Sequence, residues 1–226
     1  VKHFQLKNYW HNFASKKYTH LLLSLIFIFL FISIVPTNNT LILGLVNFSF
    51  MFNLLLVIRT FEISQKSKSL FRFWAFLIVF LSLINPELTD NIWSVGINFF
   101  VLICNCLFML LATIFLTKKL FQEAQVTIDT IQGGICIYFL LGFFWFFLYC
   151  LVFLFDKNAF TLISNHPYGE YQLLYFSFTT LTTTGYGDIS PINRLAMSLS
   201  NLQGIAGQMY PAILIARLVS LYDHQK

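Results

Sequence analysis

Charged side chains are scarce in this chain: they make up 10% of its 226 residues, where a soluble domain carries about a quarter. So few charges cannot solvate a closed surface, which excludes an ordinary water-soluble globule and leaves lipid as the natural solvent. Cysteine is equally uninformative about metals or redox chemistry. The four present, Cys104, Cys106, Cys136 and Cys150, sit inside apolar runs with no C-x-x-C pair, so they are expected to act as small hydrophobes. Internal repeats are missing as well. The formal net charge is +5, but the basic residues cluster at the ends of apolar runs rather than in a patch. That placement speaks for membrane topology and against a nucleic-acid partner.

What is abundant is apolar surface, with 58% hydrophobic residues and 28 phenylalanines. Apolar runs occur at Leu21–Val35, Leu41–Ile58, Leu70–Ile84, Ile92–Leu116, Ile131–Phe155 and Leu195–Leu221. A helical span needs roughly 17–25 such residues. The fourth, fifth and sixth runs are long enough; the first and third must borrow flanking residues such as Thr19, His20 and Trp74. Six spans with both termini cytoplasmic place Lys2, Lys7, Lys16, Lys17, Arg59, Lys66, Lys68, Arg72, Lys118, Lys119, Arg217 and Lys226 inside. That is twelve of fourteen basic residues, leaving Lys157 and Arg194 outside. This satisfies the positive-inside rule, and an odd number of spans would break it. Lys16–Lys17 before an apolar run also resembles a signal peptide, but no A-x-A-like cleavage site follows. Only five residues follow Leu221, so no regulatory domain is expected after the last span.

Between the fourth and fifth runs, Leu120, Phe121, Ala124, Ile128 and Ile131 recur at helical spacing, with Lys118, Lys119, Gln122, Glu123 and Asp129 opposite. The pattern fits an amphipathic helix over 118–130 lying on the inner membrane surface; extension of either neighbouring span fits it too. Residues 170–182 are too short and too rich in threonine to span, and read as a re-entrant helix, which a bilayer tolerates only inside protein or beside water.

The polar stretch Thr182-Thr183-Thr184-Gly185-Tyr186-Gly187-Asp188 follows that helix. Gly185 and Gly187, free of the Cβ restriction, let successive carbonyl oxygens point one way, and a column of carbonyls can replace the water shell of a cation. Residues 183–188 resemble the selectivity-filter signature of the potassium-channel family, whose filters are built from four such loops. The resemblance covers about residues 128–222: outer helix, pore helix, filter, inner helix. It implies that the carbonyls of Thr183, Thr184, Gly185 and Tyr186, with the Thr183 hydroxyl, line the K+ sites. It further implies that Asp188 sits at the outer mouth after Gly187, and that Tyr175 and Phe176 prop the filter from the pore helix, Tyr175 reaching Asp188. Thr184 stands where valine is common, and Thr179 where some members keep a carboxylate. On the last span, Gly207 matches the family's inner-helix hinge glycine; Gly204 and Pro211 also interrupt the helix, and Gln208 would face the central cavity. Close packing through small residues is the alternative for these glycines.

The expected fold is therefore an all-α integral membrane protein of six transmembrane helices plus a re-entrant pore helix and filter loop. Its parts are a four-helix, voltage-sensor-like domain (1–117), the linker helix (118–130) and the pore domain (131–226). Asn98–Leu116 carries no charge, whereas a voltage sensor needs repeated arginines on its fourth span, so no steep voltage gating is expected. The resemblance implies a multi-pass cell-membrane protein that conducts K+ passively as a homotetramer, with lipid as partner and a separate regulatory subunit left open. No cofactor is expected, and no metal other than K+ at the filter carbonyls. Alternatives are a K+-transporter subunit or a non-selective cation channel. An enzyme is a poor fit, since the spans offer no polar pair suited to catalysis, and His166 reads as a turn residue.

Overall fold

The computed structural model describes residues 17–34, 69, 76, 80, 92–123, 125–162 and 169–223. The expected second and third spans, apart from Phe76 and Phe80, and His166 lie outside these residues. The elements are α1 (Lys17–Ile34), α2 (Ile92–Gln122), α3 (Ile128–Phe155), β1 (Phe160–Thr161), α4 (Gly169–Leu181), β2 (Ser190–Pro191) and α5 (Arg194–Asp223). Stretches of α2, α3 and α5 are long and apolar enough to cross a membrane, while α1 contributes a shorter apolar helix, Tyr18–Ile34.

Two expectations about boundaries change. Residues 118–122 finish α2 and residues 128–130 open α3, so 118–130 is not one amphipathic helix. The start of α3 has a chemical cause at Thr127. Its backbone is extended (φ −125°, ψ 165°), its hydroxyl accepts from the Thr130 N–H, and the Thr130 hydroxyl accepts from its own N–H. This reciprocal cap satisfies donors that a new helix leaves free. The second change is a two-residue antiparallel ladder, β1 with β2, which pairs Phe160 with Pro191 and Thr161 with Ser190. It adds a short sheet to a set of described residues whose other regular elements are helices.

α3 is the axis of the fold. α1, α2, α4 and α5 all pack against it, which accounts for the burial of Ile137, Leu140, Phe143 and Tyr149. Glycines let neighbours come close: a Cβ on Gly142 would lie 2.5 Å from the Phe178 ring, and one on Gly134 would lie 2.6 Å from Leu214. The Tyr210 hydroxyl donates to the Gly134 carbonyl at 2.8 Å, tying α5 to α3.

Helix ends sort into two groups. At one end, the Tyr18 N–H of α1 donates to Asp129 at the start of α3 (3.3 Å), and the Thr19 hydroxyl contacts Gln132 (2.6 Å). α2 finishes there, and Arg217 near the end of α5 donates to the Phe121 carbonyl (3.0 Å). At the other end, α3 closes and α5 begins: the Asn193 amide donates to Asp156 (2.8 Å) and its carbonyl oxygen caps the Ala196 N–H (2.7 Å). The end of α1 and the start of α2 therefore lie at the same end of the bundle.

Candidate functional site

α4 runs 13 residues and ends at Leu181, where three threonines follow. Their backbone folds back onto the helix. Thr182 N–H donates to Phe178 O (3.0 Å), Thr183 N–H to Thr180 O (3.0 Å), and the N–H groups of Thr184 and Gly185 to Thr179 O (2.9 and 3.2 Å). These bonds satisfy carbonyls that a helix end leaves unpaired.

Beyond them the chain alternates in hand. Thr183 has φ 57°, Gly185 φ 54° and Gly187 φ 81°, while Thr184 and Tyr186 between them do not have positive φ. In a strand with negative φ throughout, successive carbonyls point to opposite sides. A change of hand at every second residue removes that alternation and lets the carbonyls turn the same way. Glycine adopts positive φ readily; a β-branched threonine there is a genuine outlier. Such strain persists only where the surroundings impose it, and here they are the donors converging on Thr179 O.

The far end of the loop is held from behind. The Tyr175 hydroxyl donates to Asp188 Oδ2 at 2.8 Å, and the rings of Tyr175 and Tyr186 stack at 6.3 Å with planes 4° apart. Asp188 Oδ1 accepts the Ile189 N–H (3.0 Å). The Tyr175 phenol is pushed up to about 12, chiefly by that hydrogen bond, then by burial and the Asp188 charge. Phe176 does not join this support. Neighbours in a helix point about 100° apart, and Phe176 is buried against Tyr149 and Phe160, with ring centroids 5.0 and 5.4 Å away. Thr179 contributes through its carbonyl; its hydroxyl bonds locally to Phe176 O (3.1 Å). The hydroxyls of Thr182 and Thr184 lie 2.9 Å apart.

The near end rests on α5 and α3. A Cβ on Gly207 would lie 2.0 Å from the Leu181 carbonyl oxygen, so at this position glycine is a seat for the end of α4. Tyr138, which sequence reasoning passed over, donates its hydroxyl to the same carbonyl (2.9 Å). Gly204 has nothing within 4 Å of an added Cβ, Gln208 is exposed, and Pro211 lies inside a helix that continues to Asp223. Gln203, also passed over, is fully buried between α5, α4 and α3. A groove of about 310 Å³ lies beside the loop, lined by Phe29 and Ser33 of α1 with Tyr175, Phe178, Thr184 and Tyr186 among others.

The loop offers backbone carbonyls and neutral hydroxyls, the oxygen ligands of a hard cation, rather than an acid–base pair. Among the described residues no group of His, Cys, Asp or Glu could hold a metal ion. Residues 126–223 match the model of a family described as Ion channel. The match opens next to the Thr127 cap and closes at the last residue of α5, so it takes in α3, α4, the alternating loop and α5 and leaves α1 and α2 outside. No curated protein and no solved structure matches the chain.

Proposed function

We propose that this chain is the subunit of a potassium-selective channel, conducting K+ passively across a membrane as a homotetramer. The observation that carries the reading is the alternation of backbone hand at Thr183, Gly185 and Gly187 in a loop braced by Tyr175 and Asp188. A column of carbonyls from Thr183, Thr184, Gly185 and Tyr186, with the Thr183 hydroxyl, substitutes for the hydration shell of K+. One chain supplies one wall of such a column, and residues 182–188 are exposed in the isolated subunit, so several copies must converge. α5 supports this: only 11% of its most apolar window is buried within the chain. Its Leu202, Ile205, Met209 and Ile213 stay exposed, ready for neighbours and for the conduction path.

Asp188 copies at the loop's open end attract cations. Basic positions 17, 118, 119 and 217 fall at one end of the helices and 157 and 194 at the other, which orients the first end toward the cytoplasm by the positive-inside rule. α2 carries no charge before Lys118, so the front half acts as a scaffold rather than a voltage sensor. The test is cation flux into liposomes holding the purified protein. Potassium flux well above sodium flux, blocked by barium, is expected. Equal sodium flux would favour a non-selective cation channel with Thr184 as the departure responsible, and potassium uptake against its gradient would favour a transporter subunit.

A further inference from the structure

Three fully buried polar side chains, one from each helix of the 126–223 segment, meet behind the loop. The Tyr149 hydroxyl of α3 donates to the Gln203 carbonyl oxygen of α5. The Gln203 amide donates to the Ser177 carbonyl (2.8 Å) and the Ser177 hydroxyl (3.0 Å) of α4. The Ser177 hydroxyl in turn donates to the Gly142 carbonyl of α3 (2.8 Å). Gln203, Tyr149 and Ser177 are each 0% exposed, in a protein whose surroundings hold little water to take over a lost bond. Burying such groups is unfavourable unless each is paired, and here every side-chain polar atom of the cluster has a partner. Apolar residues could have joined these helices without that risk, so the cluster fixes a position rather than adding packing.

The position it fixes is that of the loop. Ser177 is followed directly by Phe178 and Thr179, whose carbonyls hold Thr182, Thr184 and Gly185. A displacement of Ser177 is thus passed through one helical turn to the residues of reversed hand. Gln203 is also one helical turn from Gly207, the seat for Leu181, so both contacts of α5 with α4 lie on one face.

Resting on the channel reading, we propose that Gln203 is a positioning residue for ion selectivity: through Ser177 it sets the stance of α4 and so the spacing of the carbonyls that discriminate K+ from Na+. Gln203→Leu leaves the Tyr149 hydroxyl and the Ser177 groups short of a partner. Gln203→Glu keeps the shape, and a protonated carboxyl both accepts from Tyr149 and donates to Ser177, whereas a carboxylate can only accept. Burial raises the pKa of such a carboxyl, so its ionisation falls above the ordinary carboxylate range.

The experiment is calorimetric binding of K+ and of Na+ to the purified, assembled protein, in the wild type, Gln203→Leu and Gln203→Glu. The wild type is expected to prefer K+ at all pH values tested, and Gln203→Leu to lose roughly tenfold of that preference, the scale set by an unpaired buried donor. Gln203→Glu is expected to keep the preference in acid and lose it as pH rises, a profile that a merely structural role would not produce. A preference unchanged in Gln203→Leu, or a pH-independent Gln203→Glu, overturns the positioning role while leaving the channel standing. Should Gln203→Leu fail to assemble, the Gln203→Glu profile decides alone. A wild type without K+ preference removes the potassium-selective reading, and this role with it.

Discussion

Thr183 holds a left-handed backbone, φ 57°, that a β-branched residue adopts only under constraint. The constraint comes from both sides of the loop, and Tyr175 is the side chain most exposed to test. Its phenol is raised to about 12, first by the bond to Asp188. A raised acid pKa means that the neutral phenol is favoured in the folded protein. The contribution of the bond is therefore complete below the ordinary tyrosine value near 10 and fades as pH rises through about 12. On the potassium-channel reading, flux through the wild type is accordingly expected to show no change linked to Tyr175 between neutral pH and about 9. Tyr175→Phe is expected to reduce K+ over Na+ discrimination by roughly two- to tenfold, the worth of one hydrogen bond, across that whole range. Flux ratios for the two proteins over a pH series check this; an unaltered ratio in Tyr175→Phe would mean that Asp188 stays in place through Ile189 alone. The motif at 183–188 is legible in the sequence because its residues are contiguous, and the Tyr175–Asp188 pair because the resemblance to the potassium-channel family implies it. Gln203 is not, because a glutamine on a helix otherwise rich in Leu and Ile can face a neighbour, a cavity or the core. Gln208 is the more conspicuous from its place beside Gly207, yet it is Gln203, on another face, that the fold buries.

At the scale of elements, α5 meets α4 through glycine, and its two nearby glycines differ sharply. An alanine at Gly207 would place its methyl 2.0 Å from the Leu181 carbonyl oxygen and 2.9 Å from its carbon. Those are backbone atoms that no rotamer change can clear, so the helices must part. Overpacking of this kind destabilises by about 1–3 kcal/mol, and here it also lifts the base of the loop. Gly204→Ala meets nothing within 4 Å and replaces the poorer helix former. Thermal unfolding in detergent is expected to show Gly207→Ala with a lowered midpoint and Gly204→Ala with one unchanged or raised. Equal damage from both would mean that another subunit occupies the space beside Gly204. Hydropathy made α2, α3 and α5 readable as long apolar helices, but their ends moved. Position 127 opens α3 with a threonine–threonine cap rather than with glycine or proline, and an apolar-periodic pattern runs through it undisturbed. The β1–β2 ladder escaped for a simpler reason: two residues are too few to show a period.

For the whole molecule the open question in the sequence is whose α3 the front half touches. In the proposed tetramer, a linker helix over 118–130 would be compatible with packing on either the same or a neighbouring subunit. In the structure the break between helices shrinks to residues 123–127, too short a connector to carry α2 to another subunit when connections of two to eight residues join adjacent helices. α1 follows α2 onto the same α3, where Tyr18 and Thr19 meet Asp129 and Gln132, Cys136 approaches the Tyr18 carbonyl at 3.6 Å, and the Phe29 ring meets Phe139 and Phe178. The contact of Phe29 with Phe178 sets α1 against α4 of its own chain. Cysteines replacing Thr19 and Gln132, whose side chains touch at 2.6 Å, are expected to cross-link within a subunit when oxidised in membranes. The product would then migrate as a monomer on a denaturing gel, against single-cysteine controls that do not shift. Dimers and higher ladders from the double variant alone would place each front half on a neighbour's α3 and make α1 a strap between subunits instead.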